Sequence, residues 1–258
     1  MRIYHLRNAS MVLEWKESRL LIDPMLSKAG AFPSFTLLRN NPKRNPVCDL
    51  LAETEKFLDG VSRCLITHRH ADHIDDAGIA YLRKNRIPVS CSVQDGDHFR
   101  KKGLDVDHLI EYHKTSSFMG GRIKGIPALH GYGIVSRLMG NVMGYLIELP
   151  GEPSIYLSSD TVLTPEVRQV LTDDQPDISV LAAGTARLDL LAPLLMDKKD
   201  ILSFIETAPG KVMANHMEGV NHCTTSRTDL REWLSARNLT EKVWIPEDGE
   251  MKTYKKTL

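Results

Sequence analysis

Residues 66–75 read ITHRHADHID and place three histidines and two aspartates in ten positions, with Asp76 directly behind. The apolar run at 63–67 reads as a buried strand and 72–84 as a helix, so the motif occupies a strand-to-helix junction. Side chains alternate in an extended segment, which turns His68 and His70 to one side and Arg69 to the other. Two imidazoles on one side can share a metal ion. The chain then turns at Ala71, and Asp72 and His73, at the start of the next helix, are placed to face a second ion; a carboxylate there also suits the helix N-terminus.

Such a site needs further nitrogen and oxygen ligands, and other strand ends carry them. IPALHGYG (126–133) puts His130 where a strand meets a glycine turn. IYLSSDT (155–161) ends a strand at Asp160, and VMANHMEG (212–219) ends another at His216. Each is a metal-capable side chain directly after an apolar run.

With these residues in order, the chain resembles the metallo-β-lactamase superfamily of metal-dependent hydrolases. It is most similar to the branch that includes L-ascorbate-6-phosphate lactonase and zinc phospholipase-D-like enzymes. The resemblance runs from NASMVLEWKESRLLIDP (8–24) through THRHADHID (67–75) to His130, Asp160 and His216. It implies an α/β (α+β) fold, a four-layer αβ/βα sandwich with the metals at one edge between two sheets. It also implies that His68, His70 and His130 hold one ion, that Asp72, His73 and His216 hold the second, and that Asp160 bridges them. The ions expected are two divalent metals, zinc first, with manganese or iron as alternatives. Many relatives carry a histidine where this chain has Asn8.

The remaining sequence bounds the reading. A chain of 258 residues without linker, low-complexity tract or internal repeat reads as one domain over 1–258. Lysine plus arginine equals aspartate plus glutamate, 33 against 33, so no net field draws the chain to nucleic acid or an anionic membrane. With no apolar leader or spanning segment, a cytoplasmic protein acting on a small molecule is expected; oligomeric state is not legible. The four cysteines show no CxxC spacing and read as reduced and structural.

Strands are expected at 2–6, 11–15, 20–22, 88–92, 122–128, 142–149, 154–157, 178–182, 211–214 and 242–245. Helices are expected at 49–58, 94–102, 165–171, 198–207 and 226–237. Residues 24–47 form no convincing element and read as a lid or binding loop. In it Phe32, Phe35 and Leu38 suit an apolar substrate, and Arg39, Lys43 and Arg44 an anionic one.

Two close divalent cations lower the pKa of a bridging water and polarise the bond under attack, so no serine or cysteine nucleophile is required. Asp72 is placed to orient that water. His222, in GVNHCTTS (219–226), is the first candidate to protonate the leaving group, and Tyr132 the second. Asp75 and Asp76 read as solvated first-turn acids, Asp189 as a loop residue near the site, and His5, His98, His108 and His113 as structural. The expected function is metal-dependent hydrolysis of a small ester, lactone or phosphoester. The alternatives are a tRNA-processing type of nucleic-acid phosphodiesterase, an iron-dependent oxidoreductase, or a non-enzymatic domain that keeps the metals for stability or sensing.

Overall fold

The computed structural model describes residues 1–40 and 42–256. Fourteen strands are found among these residues: β1 Arg2–Arg7, β2 Ser10–Trp15, β3 Ser18–Ile22, β4 Arg63–Ile66, β5 Val89–Ser92, β6 Val106–Ile110, β7 Thr115–Phe118, β8 Gly121–Pro127, β9 Met143–Glu148, β10 Ile155–Leu157, β11 Ile178–Ala182, β12 Lys211–Asn215, β13 Val243–Trp244 and β14 Met251–Thr253. The helices are α1 Glu55–Leu58, α2 Asp76–Lys84, α3 Gly96–Lys101, α4 Val135–Leu138, α5 Pro165–Gln169, α6 Lys198–Thr207 and α7 Arg227–Ser235.

The strands form two seven-stranded sheets, in the orders β14-β1-β2-β3-β4-β5-β6 and β13-β12-β11-β10-β9-β8-β7. Each sheet has the same construction. From β14 to β3 and from β7 to β10 every pairing is antiparallel; from β3 to β6 and from β10 to β13 every pairing is parallel. Hairpin-linked strands at one side and strand–helix units at the other account for the mixture.

Alternation along the strands sends one face of each sheet inward. Leu13, Leu20, Ile22 and Leu65 of the first sheet meet Tyr145, Ile147, Leu157 and Val180 of the second in a shared core. The outer face of the first sheet, with Val12, Leu21 and Cys64, is covered by Leu82 of α2 and Phe99 of α3. The outer face of the second is covered by Val167 of α5, Phe204 of α6 and Leu230 of α7. Helix, sheet, sheet, helix is the four-layer α/β sandwich expected.

Several local expectations are corrected. The helix expected from residue 72 begins at Asp76, because Asp75 takes an extended conformation and its side chain accepts from Gly78 N. Asp75 is therefore a buried cap and not a solvated acid; it also accepts from the backbone N–H groups of Leu26 and Ser27. Asp76 is exposed, as expected. The helix expected over 49–58 is reduced to a 3₁₀ turn, Ala52–Thr54, and the single turn α1; the Thr54 hydroxyl bonds back to Leu51 O and competes with regular helix. Strands β6, β7 and β14 carry too many polar residues to have been read as strands. In the 24–47 loop, where residue 41 lies outside the described residues, the one pairing is an isolated bridge between Phe32 and Asn45. No helix among the described residues is long and apolar enough to cross a membrane.

Candidate metal centre

The strand ends that matter all open on one edge of the sandwich. β3 and β4 run parallel, so Asp23 follows the one beside Thr67 and His68, which follow the other. In the second sheet β8 and β10 are both antiparallel to β9, and β10, β11 and β12 are parallel. Their C-terminal ends therefore bring His130, Asp160 and His216 to the same edge. Four non-glycine residues at this edge, Asn8 after β1 with Asp23, Ser159 and His216, hold positive φ between 45° and 59°. Such backbone costs on the order of 1–3 kcal/mol per residue and concentrates at functional sites.

Two clusters of ligand atoms result. One joins His68, His70 and His130; the other joins Asp72, His73, Asp160 and His216; within each, the ligand atoms lie within 4.8 Å of one another. His68 Nε2 is 3.1 Å from His70 Nδ1. His216 Nε2 is 3.3 Å from Asp72 Oδ2. Asp160 joins the clusters, with Oδ1 3.2 Å from His73 Nε2 and Oδ2 3.3 Å from His216 Nε2 and 3.4 Å from His130 Nε2. Ligands about 2.0–2.1 Å from a tetrahedral ion stand roughly 3.3 Å apart, so these separations suit shared cations.

The opposite nitrogens explain how the rings are aimed. His73 Nδ1 lies 2.7 Å from Asp23 Oδ2. The same carboxylate accepts from Thr67 N and Thr67 Oγ1, and that hydroxyl lies 3.0 Å from His68 Nδ1. His130 Nδ1 donates to Leu194 O at 3.0 Å, and His216 Nδ1 lies 3.5 Å from Cys223 Sγ. With Nδ1 occupied, Nε2 points into the cluster; His70, turned the other way, presents Nδ1. Both oxygens of Asp160, His73 Nε2 and His216 Nε2 are buried with no hydrogen-bond partner in the protein. Buried polar atoms left so are costly, and four converging on one point fit a cation.

Charge in the cation-free chain follows the same geometry. Burial would discharge Asp72 and Asp160, yet His216 and His73 beside them hold both well below the usual carboxylate range. Burial also opposes a proton on His73, but Asp160 and Asp23 outweigh it and push its pKa up to about 10. His216 is raised well above its ordinary value against the same burial, chiefly by Asp160. His68, His70 and His130 are lowered by burial. Protons on His73 and His216 thus offset the charge of the two carboxylates.

The remaining candidates are placed differently from one another. His222 is buried, its Nε2 3.9 Å from Asp72 Oδ2, and its Nδ1 has no hydrogen-bond partner. Burial lowers its pKa to about 4, which favours an uncharged imidazole at neutral pH. Tyr132 turns its hydroxyl to Asp200 of α6 and belongs to neither cluster; burial, then Asp200, raises its pKa. Asp189 anchors the 24–47 loop by accepting from the N–H groups of Leu37, Leu38 and Arg39. Asn8 donates to Asp72 O, and its carbonyl receives His216 N. Gly219 allows this approach, since a Cβ there would sit 2.8 Å from that of Asn8.

Sequence reasoning passed over Asp23, Cys223 and Asn221. Asn221 gathers the loop onto the site: its Oδ1 accepts from Phe35 N and Asn45 Nδ2, its Nδ2 donates to Ser34 Oγ and Thr36 O, and its carbonyl accepts from Asn40. Phe35 is thereby set edge-on to His222, ring centroids 4.9 Å apart. The available signal for Asp23 was its position at the end of a strand that pairs with the motif strand.

Known proteins are similar to this chain along its whole length. The UPF0173 protein YddR of Bacillus subtilis (strain 168) is 33% identical over 258 residues, 98% of this chain and all of its own. A possible metal-dependent hydrolase from Veillonella parvula DSM 2008 superposes with a TM-score of 0.90 at 31% identity, covering 98% of this chain and 99% of its own. An isothiocyanate hydrolase from Delia radicum gut bacteria superposes with a TM-score of 0.89 at 29% identity, covering 99% and 100%. The family model described as the beta-lactamase superfamily domain matches residues 18–217, a span that reaches from β3 to just past His216, and on that match the chain belongs to the beta-lactamase superfamily.

Proposed function

We propose that the chain is a metal-dependent hydrolase that holds two divalent cations, zinc first, and acts on a small ester, lactone or phosphoester. His68, His70 and His130 would take one cation, Asp72, His73 and His216 the other, and Asp160 both. The observation that carries this reading is Asp160, a buried carboxylate whose two oxygens face histidines of both sets and find no other partner. Bound there, two cations supply water activated near neutral pH and polarise the bond under attack. Asp72, besides holding a cation, would orient that water by accepting a hydrogen bond from it. His222, uncharged and with Nε2 toward Asp72, donates a hydrogen bond to negative charge that develops on the substrate.

Relatives that carry the name metal-dependent hydrolase support the reaction class, as do the two solved neighbours. The resemblance to the lactonase-like branch supports an ester or lactone. The isothiocyanate hydrolase supports a second reading: water adds to the central carbon of R–N=C=S, and the thiocarbamic acid formed leaves as R–NH₂ and carbonyl sulfide. The uncharged ring of Phe35 beside His222 favours such neutral substrates. Equal numbers of acidic and basic residues speak for a small molecule over nucleic acid.

The test is elemental analysis of protein purified without added metal, followed by hydrolysis assays on lactones, esters, phosphodiesters and isothiocyanates. About two zinc or manganese ions per chain, with metal content and activity both lost in a folded Asp160→Ala variant, is the expected result. Iron would favour the oxidoreductase reading. A chain that takes up no metal on reconstitution would overturn the proposal.

A further inference from the structure

Two loops and the short helix α4, tied to the metal centre through His130 or His222, carry apolar side chains into solvent. Leu37 and Leu38 are 65% and 81% exposed, Ile134 and Leu138 are 79% and 67% exposed, and Leu190 is 88% exposed. Isolated exposed leucines are ordinary, but five on segments tied to one another beside the ligands point to a surface with a partner.

The loops are joined to one another and to the ligands. Asp189 binds the backbone of residues 37–39, so Leu37 and Leu38 are held beside Leu190. Leu194 O receives His130 Nδ1, and Pro193 O receives Tyr132 N, which ties the 187–194 loop to the segment that leads into α4. Val135, Leu188 and Leu194 pack together beneath that rim. At its inner end Phe35 lies against His222, 3.9 Å from Asp72. Among the ligands only His70 is more than slightly exposed.

The same geometry favours the apolar reading of the 24–47 loop for its two arginines, while Lys43 stays exposed. Arg39 is spent on the carbonyls of Leu188 and Asp189, and Arg44 on those of Gly30 and Ala31. Both guanidinium groups hold the loop in place while Leu37 and Leu38 stay exposed.

We infer that Leu37, Leu38, Ile134, Leu138 and Leu190 form, with Phe35, an apolar subsite for an uncharged alkyl or aromatic tail on the substrate. The inference rests on the hydrolase reading above and names its substrate class: a neutral electrophile carrying an apolar substituent. Continuity of the rim with His222 and His130 makes the substrate's own tail the occupant, in preference to a second copy of the chain.

The test uses acetohydroxamate and octanohydroxamate, which share a metal-binding head and differ by six methylenes, titrated by calorimetry into zinc-loaded protein. A buried methylene is worth about fourfold in affinity, so even partial burial predicts at least about 30-fold tighter binding of the octanoyl compound. In a triple variant, Leu38→Ser, Ile134→Ser and Leu190→Ser, the ratio of the two affinities falls below about fivefold; all three positions are exposed, and circular dichroism checks the fold. Equal affinities in the wild type, or a ratio that survives in the variant, would overturn the subsite. So would a variant that dissociates a dimer in sedimentation and leaves the ratio intact, which would assign the rim to contact between copies. Failure of acetohydroxamate itself to bind would instead remove the metal-centre reading, and the subsite with it.

Discussion

Oδ2 of Asp23 lies 2.7 Å from Nδ1 of His73, and the same carboxylate receives Thr67 N and Thr67 Oγ1. One acid at the end of β3 therefore fixes the ring of one ligand directly and that of His68 through a hydroxyl. Asp23→Asn keeps the shape and removes the charge. We expect cation affinity to fall about 10–100-fold, as for other groups that orient metal-binding imidazoles. Competition with a chelator measures it, and an unchanged affinity would show that Asp23 serves the fold alone.

The centre should exchange protons for cations. His73, with a pKa of about 10, and His216, also raised, hold protons at neutral pH in the cation-free chain, and a cation requires both rings neutral. Calorimetry in buffers of different ionisation enthalpy should find about one to two protons released per chain at pH 7, with affinity weakening as pH falls. In the cation-free protein the sign of the stability term is opposite. A raised His73 stabilises fully below its unfolded value of 6.5, and that contribution is lost as pH rises toward about 10. Denaturant unfolding with chelator should thus show declining stability from about pH 6.5 to 9.5, and zinc-loaded protein should not.

An uncharged His222 makes a kinetic prediction. Because burial holds its pKa near 4, and cations nearby would lower it further, His222 should contribute no limb to the pH–rate profile between pH 6 and 8. His222→Gln retains a hydrogen-bond donor and should lose less activity than His222→Ala, for which a 10²–10³-fold drop in kcat is expected, on the order seen when one donor to a developing anion is removed. Metal content should stay the same in both. A variant that lost a metal ion would make His222 a ligand.

Asn221→Ala should release the 34–45 loop. The side chain exchanges hydrogen bonds with Ser34, Phe35, Thr36 and Asn45, and each is worth on the order of 1 kcal/mol. A loss of about 2–4 kcal/mol in local stability would appear as faster amide exchange confined to this loop, with KM raised more than kcat is lowered. Exchange unchanged from wild type would mean that Asp189 alone suffices to hold it.

The sequence carried this site unevenly, for physical reasons. His68, His70, Asp72 and His73 were readable because their spacing is local, set by strand alternation and one turn. His130, Asp160 and His216 were readable as polar residues at the ends of apolar runs, though only the fold brings them together. Asp23, in LLID, has the same appearance, but what it does depends on parallel pairing of β3 with β4, which no local pattern announces. Asn221 was hidden for a similar reason, since its partners lie about 180 residues away in sequence. The charge state of His222 depends on its burial in the folded chain, which residue type alone does not announce.

The division of the centre between the two sheets has a mechanical side. His68, His70, Asp72 and His73 hang from the end of β4, whereas His130, Asp160 and His216 hang from β8, β10 and β12. Elsewhere at this edge the layers are joined by lighter ties, such as Tyr145 OH to Ile66 O and Met143 N to Thr67 O. Cations at the centre would act as rivets through both plates. A chain pulled apart across the seam would carry its load there first, and the force needed to shear the layers would report how many rivets are in place.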